Sequence, residues 1–423
     1  MKLRNSTKEN ILLLFTGTGI AQIIPAIASL VLARLYTKTD YGDLSVFMSI
    51  TGVIGAVAAL RYELAIILPR KKEDARNLLA LCVLSSFAMG LLSLIVVALC
   101  FPLFESKLDI SNNHLLYLVP VMVICMGIYN SFENWFNREE AYSKMSLTKI
   151  VLSVASAGIR VLFGFAGIAL GLIYGTALSY IIAATLFFCF FVKKEGFVSY
   201  KLVSFTKMKE LFCEYKDFFK YSTTSALFNT MSHIGLPLLI SYFYSIELAG
   251  IYFFANTLIR QPIQLLSGSV AQVYKKRANL LYLEGSNQLL SFTVKMQKGI
   301  FLFVFPILIL FSIWGGDIFS FLFGHEWEAS GDIIKYFAIF ILFNANFSPV
   351  SSILDILRKQ KISLFFNLSM VFSQVVLLLL FSGNLSFNHM ILLLSISGAI
   401  HFLYIDIYLK NCTRKLHHHE KDN

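Results

Sequence analysis

Three arginines, Arg61, Arg160 and Arg260, fall in or at the ends of long apolar runs, where a fixed charge is hardest to hold. Arg260 sits about half-way along its run, too deep to reach water by extending its side chain. It is the strongest candidate for a binding group. An unpaired charge at that depth costs at least about 2.5–3.5 kcal/mol, so it needs an anionic partner. Asn256 and Gln264 stand four residues to either side, and a helix would carry all three on one face, extended by Gly268 and Gln272. Arg160, late in its run, is the second candidate, whereas Arg61 can extend to the lipid headgroups. Glu63, followed by apolar Leu64 to Leu68, is the one acidic group near the interior of a run. Two residues apart, Arg61 and Glu63 should face different sides of a helix and not pair. Glu63, its neighbour Tyr62 and His233 are the candidates for coupling an ion.

Other polar side chains recur at helical spacing: Ser222, Ser225, Asn229 and His233 in one run, Thr18, Gln22, Pro25 and Ser29 in another. Asn344, Asn346 and Ser348-Pro349 cluster in a third. Each has a plain reading, in which Asn, Gln and Ser bond a neighbouring helix for about 0.6 kcal/mol. Gln22, Asn229, Asn256 and Gln264 can equally line a polar cavity, and both readings stay open. His233 reads as a core histidine bonded to Asn229 or as a proton carrier. Asp355 and Asp406, at helix ends among lysines, read as surface charges.

Catalytic constellations are missing. There is no nucleophile-elbow serine, no HExxH and no Walker-type glycine loop, so the sequence does not read as an enzyme. An ATP-driven pump lacks its nucleotide-binding domain. No metal site is expected: Cys82, Cys100, Cys125, Cys189, Cys213 and Cys412 form no CxxC pair and lie mostly in apolar runs, and His417-His418-His419 reads as a solvated tail. No cofactor is expected, although H+ or Na+ could be coupled.

The elements that must position these groups are membrane spans. Of 423 residues 57% are hydrophobic and 14% charged, against roughly 45–50% and 25% in a soluble domain. Runs of spanning length, about 20 residues each, fall at 11–33, 42–62, 77–103, 115–136, 147–166, 168–192, 219–243, 248–272, 299–322, 333–355, 362–382 and 388–408. The expected fold is an all-α integral membrane protein of about twelve helices in two six-helix lobes around a central cleft. Spans one, seven and eight are striped with polar residues and would line that cleft; spans three, six and nine are almost wholly apolar. The first run ends in a sequence like a signal-peptide cleavage site, but its length and its interior Gln22 and Pro25 favour a retained span.

Charge sets the orientation. With the N-terminus in the cytoplasm, 29 of the 36 Lys and Arg fall in cytoplasmic segments and four in outer loops. One missed helix would invert every later loop, so both termini are expected in the cytoplasm. The net charge of +11 then belongs to loops held at an anionic membrane surface and implies no nucleic acid. The Lys/Glu-rich loop at 193–218 divides a lobe at 1–192 from a second at 219–410, with a cytoplasmic tail at 411–423. A faint internal echo accompanies the division: Leu35-Tyr36-Thr37 through Tyr41-Gly42 matches Phe243-Tyr244-Ser245 through Ala249-Gly250. With an even number of spans in each half, such repeats must be parallel. Gly167, Gly171 and Gly175 form a GxxxGxxxG stripe that permits close helix contact.

Several stretches resemble the Wzx-type O-antigen and capsule polysaccharide flippases of the multidrug/oligosaccharidyl-lipid/polysaccharide exporter superfamily. Ala33-Arg34-Leu35-Tyr36 through Asp40-Tyr41-Gly42 resembles their ARxLxPxEYG stretch, with Thr37-Lys38-Thr39 where many members have a proline. Arg61-Tyr62-Glu63-Leu64-Ala65-Ile66-Ile67-Leu68-Pro69 resembles their RYExAIxLP motif, followed by Ala75-Arg76-Asn77-Leu78; Gly171-Leu172-Ile173-Tyr174-Gly175 resembles the opening of their sixth span. The resemblance implies alternating access in a bacterial inner membrane. The implied substrate is undecaprenyl diphosphate carrying an oligosaccharide, and a polymerase and chain-length regulator are possible partners. A sugar hydroxyl entering hydrocarbon unpaired costs roughly 4–8 kcal/mol and needs a polar path. A diphosphate needs positive charge, for which the planar fork of Arg260 and Arg160 suits better than lysine. A drug or cation antiporter of the same superfamily would favour acidic groups in the cleft, and a glycosyl polymerase or ligase would need a long outer loop.

Overall fold

The computed structural model describes residues 2–107, 113–168, 170–196, 203–284, 288–357 and 359–419. Within these every regular element is a helix: α1 Lys2–Leu35, α2 Lys38–Gly55, α3 Lys72–Lys107, α4 Val119–Arg138, α5 Tyr142–Phe165, α6 Gly171–Glu195, α7 Phe205–Glu214, α8 Thr224–Ile234, α9 Leu236–Phe243 and α10 Ile246–Leu283, followed by α11 Gln288–Phe323, α12 Glu328–Asp332, α13 Ile334–Phe347, α14 Ile353–Ile356, α15 Gln360–Phe381 and α16 Phe387–His419. The side chains of Gln272, Asp355 and His417 to His419 lie outside the described residues.

All twelve runs are helical, yet they are not equal as spans. Among the described residues seven helices are long and apolar enough to cross a membrane, and the pair His325–Asp332 and Ile334–Val350, bent by 50°, makes an eighth if it is one span. The second, seventh and eighth runs fall short of that length and apolarity. The seventh and eighth carry polar stripes, and α2 buries Asp43, Ser45, Ser49 and Thr51. Polarity at the expense of apolar length marks these three as the helices with work to do inside the membrane. The apolar spans instead expose their hydrophobic residues outward, as Leu84, Leu91 and Leu99 do on α3. In a bilayer that surface faces lipid.

Two departures from the expected spans have local causes. The second run ends at Gly55, not 62; the chain turns through Leu60 and Arg61, both left-handed (φ 52° and 62°), into a 3₁₀ helix at Tyr62–Ile67. Non-glycine residues there cost of order 1–3 kcal/mol each, so packing must impose the break. Thr223 donates to the Leu60 carbonyl at 2.9 Å. The carbonyls freed beyond the 3₁₀ helix are met by Arg138, which donates to Ile66 at 3.2 Å, Ile67 at 3.1 Å and Arg70 at 3.5 Å. The seventh run opens with a π turn at Phe218–Thr223 and breaks at Gly235. Pro237 explains the break, because its ring leaves no room for the carbonyl four residues back. Of the GxxxGxxxG stripe, Gly167 lies in a turn (φ 70°), so only Gly171 and Gly175 share the α6 face.

The chain forms two compact units, 1–250 and 251–423. In the first, α1 packs along α5, α5 on α6, and α3 and α6 on α4. The seventh-run helices α8 and α9 pack on α2 in this unit, where Ser49 donates to the Ile234 carbonyl at 2.7 Å. Its densest core gathers Tyr62, Leu78, Cys82, Trp135, Phe136, Phe187 and Leu211, all buried. In the second, α13 packs on α16 and α11, and Phe254 of α10 stacks into Phe319, Phe323 and Trp327.

The faint internal echo is real structure. Thr37 accepts from the Asp40 N–H at 3.2 Å, and Ser245 accepts from the Leu248 N–H at 3.2 Å, so the two turns are capped alike. They meet reciprocally: Gly42 lies against the Ile246 carbonyl, and Gly250 against the Lys38 carbonyl. Lys38 and Glu247 pair across the same junction at 3.3 Å.

Three basic segments come together at one end of this unit. Lys72 binds Glu195 at 2.7 Å and Glu139 at 3.5 Å, Lys194 binds Glu139 at 2.8 Å, and Arg76 binds Glu195. Burial opposes ionisation of Glu139, but the hydrogen bond from Lys194 and the nearby charges of Lys72 and Lys194 outweigh it and hold its carboxyl below the usual range. A lowered folded value stabilises above the unfolded value and is lost as pH falls through the folded one. Melting temperature in detergent should therefore drop as the pH falls below about 4.3, the unfolded glutamate value. Glu139→Gln should flatten that limb and cost about 1 kcal/mol or less at pH 7, since solvent screens the pair. An unchanged acid limb in Glu139→Gln would exclude this group as its source.

Candidate functional site

In the first unit Arg160 is held by three helices. Its Nη2 donates to Thr176 Oγ1 on α6 at 2.5 Å, and its own carbonyl accepts from Tyr36 at the end of α1 at 2.8 Å. Gly175 makes this possible, because a Cβ there would meet Arg160 Cγ at 2.6 Å and its N at 3.0 Å. Tyr41, Tyr180 and Tyr36 lie close enough to act on the guanidinium electrostatically. The Nε donor is buried and has no hydrogen-bond partner. Among the described residues no carboxylate pairs with Arg160. A guanidinium with five donors, one of them on a neutral hydroxyl, keeps most of its capacity for an anion.

In the second unit the arrangement recurs with different residues. Arg260 Nη2 donates to Asn344 Oδ1 on α13 at 3.4 Å. Tyr252, on the same helix, lies within electrostatic range. The Oδ1 atoms of Asn256 and Asn346 are buried without partners. Ile259 and Ile263 are buried beside the arginine, whereas Gln264 is exposed. A single helix carries Asn256, Arg260 and Gln264 on one line, as their spacing predicts. Among the described residues Arg260 also has no carboxylate partner.

The acidic candidate is placed differently from expectation. Arg61 and Glu63 pair, Nη1 to Oε1, at 3.4 Å. The rule that residues two apart diverge holds on an α-helix, and Arg61 is the left-handed residue before a 3₁₀ turn. Glu63 is 5% exposed, and its Oε2 has no hydrogen-bond partner. Tyr62 is fully buried and donates to the Phe212 carbonyl at 3.1 Å, which ties it to α7. Gln22 is half-buried with its Oε1 unpartnered; Asn229 is exposed and His233 half-buried on α8. Asp406 is no free surface charge: Gln297 donates to it at 2.6 Å and Lys410 pairs with it at 2.5 Å. Sequence reasoning missed Thr176, Tyr36 and Arg138, whose partners lie far away in the chain and carry no local signal. Among the described residues no cluster of His, Cys, Asp or Glu could hold a metal ion.

Apolar spans, three polar helices and a half-buried guanidinium in each unit describe a multi-pass membrane protein. The sequence matches the family described as "Polysaccharide biosynthesis protein" over residues 31–332, and the chain belongs to that family. No curated protein matches it significantly. Among solved structures it is similar to "Lipid II flippase MurJ, inward closed conformation" (15% identity, TM-score 0.71, 96% of this chain and 90% of that one). It is similar to "Inward-facing conformation of a multidrug resistance MATE family transporter of the MOP superfamily" (13%, 0.68, 95% of each). A third is a MOP superfamily transporter from Pyrococcus furiosus Vc1 (15%, 0.58, 97% and 96%). At these identities the likeness establishes the fold, that of two-lobed transporters.

Proposed function

We propose that the protein carries a lipid-linked oligosaccharide, an undecaprenyl-diphosphate repeat unit of O-antigen or capsule, from the inner to the outer leaflet of a bacterial inner membrane by alternating access. The observation that carries this reading is the pair of half-buried arginines, without carboxylate partners among the described residues, that rest on a hydroxyl and an amide. A drug cation would be repelled by either one, whereas a phosphate can take parallel bonds from an arginine fork. Arg260 and Arg160, each within its own unit, are the phosphate-binding groups of this reading; Asn256, Gln264, Asn229 and Gln22 offer bonds to sugar hydroxyls, and the isoprenoid tail stays in lipid. The lobes are 1–192 and 219–410, with both termini and the basic end of the first unit in the cytoplasm.

Coupling is assigned to Glu63, buried against a single arginine contact, with protonation releasing Arg61. A proton crossing the full potential supplies about 2.3 kcal/mol per 100 mV. His233 is the second candidate. Membership of a polysaccharide-biosynthesis family supports a substrate of this class, and a polymerase and chain-length regulator would remove it on the far side. Deleting the gene should abolish surface polysaccharide while lipid-linked single repeat units accumulate facing the cytoplasm. Accumulation on the outer leaflet would point to a polymerase or ligase. Drug sensitivity with normal polysaccharide would point to an antiporter.

A further inference from the structure

The short helix α7 lies outside the long apolar helices and is docked with aromatic side chains outward. Leu211 is buried in the core of the first unit. The Ser204 N–H donates to Asn77 Oδ1 at 2.9 Å, Tyr62 donates to the Phe212 carbonyl at 3.1 Å, and Lys207 lies 3.8 Å from Asp74. Yet Phe205 is 74% exposed, and Phe212, Phe219 and Tyr221 are exposed after it. A helix in water would not present that row. A helix at the edge of a bilayer would, with its rings among acyl chains and its lysines at headgroup level.

Between α7 and the outward face of α3 lies a crevice of about 180 Å³, lined by Leu81, Leu84, Phe205, Met208, Lys209 and Phe212. Its walls are carbon, the stem of Lys209 among them. It opens onto the exposed apolar surface that α3 continues through Leu84, Phe87 and Leu91, so it is continuous with the lipid-facing side. Lys207 is engaged by Glu210 at 2.8 Å. Lys209 is exposed and, among the described residues, in no ion pair. One apolar slot lined in part by the stem of one exposed lysine in no ion pair among the described residues matches one acyl chain beneath one anionic headgroup.

We infer that this crevice is a binding site for an anionic phospholipid of the leaflet at the basic end, one acyl chain lying between α3 and α7 and its phosphate on Lys209. Bound there, the lipid holds α7 to the membrane edge and gives the segment joining α6 to the seventh run a fixed seat.

The test uses the full-length protein in nanodiscs containing phosphatidylglycerol with a diazirine midway along one acyl chain, irradiated and mapped by peptide mass spectrometry. Labelling should concentrate on the peptides holding Leu81, Leu84 and Phe205 to Phe212. It should fall at least threefold with the zwitterionic phosphatidylcholine probe carrying the same chain, and by a similar factor in Lys209→Glu. Met208→Trp, which fills the slot from an already half-buried position, should remove the focus while labelling elsewhere along α3 persists. Equal labelling by both headgroups, or labelling spread evenly along α3, would overturn the site. Displacement of the phosphatidylglycerol label by an equimolar polyprenyl diphosphate would instead assign the slot to a polyprenyl lipid and overturn the phospholipid assignment.

Discussion

Arg260→Ala should reach the membrane at wild-type abundance or above and export almost no polysaccharide. Removing the guanidinium relieves an insertion cost of at least about 2.5–3.5 kcal/mol. What remains is Asn344, a neutral amide 3.4 Å from the lost donor, and not a buried carboxylate stripped of its partner. Breaking a true buried ion pair costs about 3–5 kcal/mol, and that penalty does not arise here. Losing a desolvated contact to the proposed substrate's charge costs about 2–5 kcal/mol, which is transport reduced by roughly one and a half to three and a half orders of magnitude. Arg260→Lys keeps charge without the fork and should retain partial export. Asn344→Asp is the sharper variant: it supplies a resident anion that competes with the diphosphate, and export should fall although Arg260 is untouched. Surface polysaccharide and membrane abundance, measured together, decide the matter. Low abundance in Arg260→Ala with working residual protein would make the arginine structural. Wild-type export in both variants would remove it from the site.

The sequence announced which helices are special, because polarity inside an apolar run is costly and so is legible without a structure. The stripes on the seventh and eighth runs mark two of the helices that fail as simple spans among the described residues, and α10 carries Asn256, Arg260 and Gln264 on one line. The second run escaped notice because Asp43 stands at its very start, where a charge looks like a helix end although the fold buries it, and because Ser45, Ser49 and Thr51 barely disturb hydropathy; Ser45 and Thr51 each bond a carbonyl of their own helix. What the chain could not disclose was the company each residue keeps. Thr176 reaches Arg160 across 16 residues, and Asn344 reaches Arg260 across 84. Such pairs depend on how helices cross, which no periodicity encodes. The Arg61–Glu63 pair was misjudged for a different reason. The segment Ala56–Leu60 has good helix formers, so its local propensity argues for continuing α2, and tertiary packing around Gly55 and Gly127 overrides it. Met126 lies 2.8 Å from where a Gly55 Cβ would stand, and Ala58 2.9 Å from that of Gly127.

The two turns that meet head to tail carry the other large effect. Gly42 and Gly250 each begin a Cβ-free patch against the other turn's carbonyl, Ile246 for one and Lys38 for the other. On helix propensity alone, glycine to alanine here should stabilise by about 0.5–1 kcal/mol. Packing reverses the sign, because the added methyl meets backbone, which cannot rotate away, and overpacking of this kind costs about 1–3 kcal/mol or more. Gly42→Ala and Gly250→Ala should therefore each lower the melting temperature and cut export severalfold, by similar amounts, since the contact is reciprocal. The double variant should cost less than the sum of the singles, because once the turns are forced apart the second methyl meets nothing. Gly268→Ala and Gly299→Ala, with no atom within 4 Å of the new carbon, serve as controls and should melt at or slightly above the wild-type temperature. A direct readout comes from the ion pair over the same junction. Cysteines replacing Lys38 and Glu247, whose side-chain tips lie 3.3 Å apart, should be bridged readily by a short bifunctional thiol reagent in the otherwise wild-type chain and poorly beside Gly42→Ala. Undiminished cross-linking and export in both glycine variants would mean the turns separate freely, and the reciprocal seat would then have no part in the transport cycle.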